Sequence, residues 1–386
     1  MVGVLILKKV LIVTSVASMV DQFLMNDIHT LKETGYEIHI AANFKRGNTS
    51  SKEKIISLKK RLEEIDVRYY DINFARNVFN LFENFSGYLA LSNIMSKNNF
   101  EFVHCHSPIG GVIGRIVSKK YRTPSIYTAH GFHFFKGSSF KNWLFYFPVE
   151  YLLSKITNKI ITINEEDFGN ASKFFDRNKI EFVNGIGVNL EEINSLNTSR
   201  SAMRKQLMID ENCFLLLSVG ELNKNKNHEI IIRSLFYLKD YDIQYAICGK
   251  GPLKESLVRL ADELGVRDKV HFLGFRQDVK KIYVSADAYV FPSLREGLSV
   301  ALMEAMASSL PVICSGIRGN VDLIQQERGG ILIQNNDSKH YIEAILKMYM
   351  DDSFRVECGK FNKEYIKKYD INITKKSMRK IYSEIK

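Results

Sequence analysis

The sequence predicts an α/β fold built from two Rossmann-like domains, each a parallel sheet covered by helices. Three observations predict it. Apolar runs of strand length alternate with helical segments along all 386 residues. The alternation runs through once and then begins again, and this length exceeds what one hydrophobic core organises. Short polar or glycine-bearing loops follow many of the runs, where open α/β sheets hold their ligands.

In chain order, strands are expected at 9–13, 37–42, 67–71, 102–106, 125–129 and 159–163. The opening MVGVLILKKVLIVTSVASM imitates a signal peptide, but Lys8 and Lys9 split the apolar stretch. The helical segment 21–32 and the strand-like GYEIHIAANF then make this β–loop–α–β. The loop 14–19, TSVASM, carries the small residues Ser15, Ala17 and Ser18. A Gly-, Asn- and Ser-rich hinge is expected at 183–200. The second set of strands is expected at 214–219, 243–248, 270–273, 288–291, 312–314 and 330–333, and the last segment, 353–386, is helical and basic. No run reaches the ~18 apolar residues of a membrane-spanning helix.

Composition narrows the function. The chain is 45% hydrophobic and 25% charged, as in ordinary globular proteins. Its five cysteines lie far apart without a Cys-x-x-Cys, so neither zinc nor disulfides are expected, and a reducing cytosol fits. The net charge of +11 suits anionic partners. No helix-turn-helix, zinc finger or RNA-binding signature accompanies it, so nucleic acid is not the expected partner. Lys45, Arg46, Lys52, Lys54, Lys59, Lys60 and Arg61 cluster and read as a solvated face or a patch for anionic lipid headgroups. The aromatic stretch 133–153 contains the single Trp with Lys136 and Lys141. It reads as a buried helix or, if exposed, as a membrane-interface helix.

The most informative motif is REGLSVALMEAM, 295–306, after the strand 288–291. A helix is expected to begin near Gly297. Glu296 then stands on the loop at the strand's carboxyl end, and Glu304 about two turns inside the helix on a similar face. The free N–H groups of Gly297, Leu298, Ser299 and Val300 suit an anion such as a diphosphate. Around it, in order, come SVGELNKNKNHEIII, AICGKGPLKESL, VHFLGFRQDVKKIYVSADAYVFPS and PVICSGIRGNVDLI.

With these motifs the chain resembles the family-4 retaining glycosyltransferases of the GT-B fold, of the bacterial exopolysaccharide and capsule type. The resemblance covers most of the chain and is stronger in the second half. It implies two Rossmann-like domains facing across a cleft: an acceptor domain, 1–190, and a nucleotide-sugar donor domain, 191–369. A terminal helix at about 370–386 would return to the first. It implies that Glu296 grips donor-sugar hydroxyls and that Lys226 meets the diphosphate. His130, in YTAHGFH, would contact the donor sugar and the adjacent phosphate. Gly220 allows a close backbone approach and Gly249 an unusual turn, the backbone around Gly274 would hold the nucleobase edge, Arg276 reads either as a base or phosphate contact or as a surface arginine, and Glu304 would accept the ribose hydroxyls.

Two departures stand out: Glu221 follows Gly220 where relatives usually carry Arg, and 14–19 lacks the usual glycine pair. His104 and His106 share a strand face, but no third ligand is evident, so no metal is expected. His104 reads as structural and His106 as near the cleft. No cofactor is expected. The implied activity is hexosyl or N-acetylhexosaminyl transfer from a nucleotide-diphosphate sugar, most simply a UDP-sugar. The implied acceptor is a lipid-linked saccharide at the inner face of the cell membrane, the enzyme being cytoplasmic and peripheral. A non-catalytic partner subunit and a UDP-sugar epimerase of the same fold are the alternatives.

Overall fold

The computed structural model describes residues 7–45, 51–75, 80–106 and 108–385. The first sheet contains β1 (Lys9–Val16), β2 (Glu37–Asn43), β3 (Arg68–Asp71), β4 (Phe100–His106), β5 (Ser125–Ala129), β6 (Lys159–Thr162) and β7 (Ile180–Phe182). Its order is β3-β2-β1-β4-β5-β6-β7. The second contains β8 (Phe214–Val219), β9 (Ile243–Cys248), β10 (Val270–Gly274), β11 (Ala288–Phe291), β12 (Val312–Ser315) and β13 (Gly330–Ile333), ordered β10-β9-β8-β11-β12-β13. Every pairing between them is parallel. In both sheets the order reverses beside the first strand, between β1 and β4 and between β8 and β11. Loops on either side of such a reversal diverge and leave a crevice.

Central strands are apolar on both faces because helices cover both sides. Val10, Leu11, Ile12 and Val13 of β1 are all fully buried. The chain divides into two compact units, Met1–Ile186 with Asn372–Lys386, and Gly187–Ile371. The last helix, Ile371–Glu384, contributes Met378, Ile381 and Tyr382 to the core beneath β1 and β2.

Three local expectations are corrected. β1 runs to Val16 rather than ending at Val13, and its register with β2 shifts between those residues. The small residues of 14–15 admit a neighbour closely there. The Ser15 hydroxyl accepts from the Gly110 N–H at 3.0 Å, and a Cβ on Gly110 would lie 2.9 Å from the Thr14 Cα. β7 was not anticipated, because three residues at a sheet edge show no periodicity. The helix expected near Gly297 is Val300–Ala307, three residues later. Ser299 is its N-cap, its hydroxyl accepting from the Leu302 N–H at 3.3 Å. Glu304 is therefore little more than one turn inside.

In the second unit a buried arginine ties the helix Arg200–Leu207 to the chain just before the central strands β8 and β11. Arg204 donates to the carbonyls of Ser285 and Cys213 and pairs with Asp287 at 2.7 Å. A buried guanidinium is tolerated because its donors are met.

Candidate active site

The second unit gathers its motif residues at the β8/β11 reversal. The loop after β8 begins at Gly220 and the loop after β11 carries Glu296. Asn225 pins the two together: its carbonyl accepts from the Leu294 N–H at 2.8 Å, and its amide donates to the Arg295 carbonyl at 2.9 Å. Lys226 and Glu296 then meet, Nζ to Oε1, at 2.7 Å, both largely but not fully covered. The ammonium also lies 4.6 Å from the Phe291 ring centroid. Arg318, in the loop after β12, donates from Nε to the Glu296 carbonyl at 3.2 Å. Phe291 and Arg318 were not singled out in the sequence, although both lie inside quoted motifs.

Glycine is required where backbones cross. A Cβ on Gly249 would lie 1.8 Å from the Gly220 carbonyl oxygen, so the turns after β8 and β9 fit only without it. The Gly249 N–H in turn donates to the Gly274 carbonyl at 2.8 Å, bringing Gly220, Gly249 and Gly274 into one layer. Gly297 packs its carbonyl against Gly319. Leu298 and Val300 are half-buried against the core beneath.

Arg276 is engaged within its own loop. Its Nε and Nη2 donate to the two carboxylate oxygens of Asp278 at 2.8 and 2.7 Å. That bond holds Asp278 below the usual carboxylate range. The Tyr283 hydroxyl lies 3.0 Å from the Ala301 carbonyl and 3.2 Å from a Glu304 carboxylate oxygen, and burial raises the Glu304 pKa against the opposing pull of Lys280. Tyr283 is a partner that the sequence did not reveal. Glu221 is exposed and accepts from the Asn223 amide at 3.0 Å. That contact ties its carboxylate to its own loop.

His130 belongs to the other compact unit, in the turn after β5, and borders a pocket with Asp27, Thr128, Gly185 and Met378. His106 on β4 is fully buried, and its Nδ1 lies 3.1 Å from His130 Nε2. The His104 ring packs against it at a tilt of 45°, ring centroids 3.9 Å apart. The two His104 nitrogens lie 3.0 Å from the Tyr382 hydroxyl and 2.8 Å from the Thr128 hydroxyl. Burial pulls all three imidazoles down, His104 to about 3, His130 to about 4 and His106 well below its ordinary value.

The expectation of no third ligand beside these histidines needs correction. Asp27, on the helix Met25–Glu33, offers a carboxylate oxygen within 4.8 Å of ring nitrogens of His104 and His106. It lies 77 residues before His104, which is why the sequence hides it. Burial raises its pKa from 3.8 to about 7.

The aromatic stretch forms the helix Phe140–Ile156, with two apolar faces. Trp143 and Phe147 pack inward on Phe134 and Phe174, while Phe140, Leu144, Phe145 and Leu152 are exposed, Phe140 by 79%. A second helix, Leu81–Lys97, exposes Leu81, Phe82, Phe85 and Leu89, Phe82 by 85%. Both pack on the helix Pro108–Lys120. In the basic cluster, Lys45 pairs with Asp71 at 2.9 Å, and Lys59 lies over the Phe44 and Tyr69 rings. Arg46 lies outside the described residues. Among the described residues no helix is long and apolar enough to cross a membrane.

The sequence and the fold both have known relatives. Residues 199–365 match the family Glycosyl transferases group 1, and residues 9–164 match Glycosyl transferase 4-like. The putative glycosyltransferase EpsD of Bacillus subtilis is 32% identical over 384 residues, covering 97% of this chain and 96% of its own. A UDP-Gal:alpha-D-GlcNAc-diphosphoundecaprenol alpha-1,3-galactosyltransferase of Escherichia coli is 29% identical, covering 72% and 73%. Among solved structures, HepE of Anabaena in complex with UDP and glucose superposes with a TM-score of 0.78 at 16% identity, covering 97% of this chain and 99% of its own.

Proposed function

The chain belongs to the group 1 glycosyltransferases, with the GT-B fold, and from that premise we propose that it is a retaining, metal-independent transferase using a UDP-sugar. The acceptor in this reading is a saccharide on a lipid diphosphate at the inner face of the cell membrane, built for exopolysaccharide or capsule. The E. coli relative, whose name specifies a UDP-Gal donor and a diphosphoundecaprenol acceptor, supports both substrate classes.

The observation that carries the reading is the Lys226–Glu296 pair at the strand-order reversal. Without ligand each group neutralises the other. When a donor enters, Lys226 turns to the diphosphate and Glu296 to the sugar hydroxyls, so one charge pair is exchanged for two directed contacts. Val300 and Ala301 N–H groups at the helix start, with Lys226, meet the charge that develops as the diphosphate leaves. Glu304, oriented by Tyr283, accepts the ribose hydroxyls. His130 contacts the donor sugar. The bond from the anomeric carbon to the phosphate oxygen breaks, the acceptor oxygen attacks on the same face, and its proton passes to the departing phosphate.

Two exposed apolar stripes, 81–89 and 140–152, provide the membrane-facing surface in this reading, with Lys141 and Lys155 at their margins.

The test is calorimetric titration with UDP, GDP and ADP together with a transfer assay. UDP is expected to bind, to bind more weakly to Glu304→Ala, and to remain bound to Glu296→Ala while transfer falls by roughly 100-fold or more. Near-normal transfer by Glu296→Ala, or absence of nucleotide binding by the wild type, refutes the assignment.

A further inference from the structure

The histidine pair of the first unit specifies which proton His130 carries. His106 Nδ1 and His130 Nε2 are 3.1 Å apart, so one of them donates. The other nitrogen of His106, Nε2, is buried and has no partner among the described residues. Asp27 comes within 4.8 Å of the His104 and His106 nitrogens without a hydrogen bond to either. Two arrangements are available to neutral rings. If His130 donates, the His106 proton sits on Nε2 and a buried N–H is orphaned. If His106 donates, only a bare lone pair is left at Nε2. An orphaned buried donor is the costlier defect.

We propose that His106 is a positioning residue that donates from Nδ1 to His130 Nε2 and holds His130 as its Nδ1–H tautomer. His130 then has its single lone pair occupied and carries its proton on Nδ1, in a ring that lines the pocket. It serves as a hydrogen-bond donor to a substrate oxygen, a phosphate or sugar oxygen, and not as a proton acceptor. Burial keeps both rings neutral near pH 7, in keeping with that role. His104 holds His106 from behind by ring packing and is itself tied by the Thr128 and Tyr382 hydroxyls. The catalytic consequence rests on the reading that His130 contacts the donor; the tautomer does not.

The experiment is long-range proton–nitrogen NMR of the full chain at pH 7.5, with His130 assigned by its loss in His130→Gln. His130 is expected to carry its proton on Nδ1 in the wild type. His106→Leu, which removes the donor, is expected to give a mixture of tautomers and a kcat roughly tenfold lower, with a smaller change in KM for UDP-sugar. His106→Asn, whose amide can donate from near the Nδ1 position, is expected to restore the Nδ1 tautomer and most of kcat. A wild-type proton on His130 Nε2, or a tautomer unmoved in a folded His106→Leu, overturns the proposal. A tautomer that shifts while kcat stays unchanged supports the proposal and overturns the donor contact of His130 instead.

Discussion

Among single residues, burial moves the acid and the bases around the histidine pocket in opposite directions. Asp27 has no ion-pair partner among the described residues, and its folded pKa of about 7 exceeds its ordinary 3.8. A raised value means that this group's stabilising contribution is complete below 3.8 and is lost as pH rises through about 7. His104 and His130 have the other sign: with folded values near 3 and 4, their contribution holds above 6.5 and is lost as pH falls toward those values. Asp27→Asn is therefore expected to raise the melting temperature at pH 7.5, by roughly 2–4 °C because the carboxyl is partly open to the pocket. The gain should shrink by pH 4.5, and calorimetric melting at the two pH values checks this; an equal gain at both would contradict it. The same pocket shows where sequence reading stops. His104 and His106 declared themselves through alternation on one strand, whereas Asp27 and Tyr382 arrive from helices at opposite ends of the chain.

At the scale of elements, the strands were the most legible feature, because a parallel strand covered on both faces must be a short, dense apolar run. Twelve such runs were expected, and all twelve lie at strands of the two sheets. Element ends were less legible, since Ser299 caps a helix that good helix formers alone would start earlier. Turns with glycine are more demanding than their short motifs suggest. Gly249→Ala would press a methyl onto the Gly220 carbonyl, and is expected to cost about 1–3 kcal/mol and to weaken UDP binding. Chemical denaturation and calorimetry measure both, and an unaltered protein would show that the turns can part. The helix Leu81–Lys97 carries a second exposed apolar stripe. Phe82→Glu with Leu144→Glu is expected to weaken binding to anionic vesicles by on the order of tenfold while leaving UDP binding unchanged. Cosedimentation equal to that of the wild type would remove these stripes from the membrane surface.

At the scale of the whole molecule, two Rossmann-like units carry separate parts of one proposed chemistry. Unit Gly187–Ile371 holds the Lys226–Glu296 pair and the Glu304 contact, and unit Met1–Ile186 with Asn372–Lys386 holds His130 and the exposed stripes. The last helix returns to the first unit and places Tyr382 on His104, so truncation of the tail would disturb the histidine network as well as the core. Hydrophobic periodicity and glycine turns are local, so the fold class and the strands are legible in the chain itself. The glycosyltransferase character is legible there too, because ordered motifs survive as short strings. The three-dimensional packing is what sets Lys226 against Glu296 and bonds Glu221 within its own loop. It alone brought Asp27 to the histidines and paired His106 with His130. Those facts depend on atoms tens to hundreds of residues apart meeting within a few ångströms. Packing specifies such meetings, and local residue pattern does not.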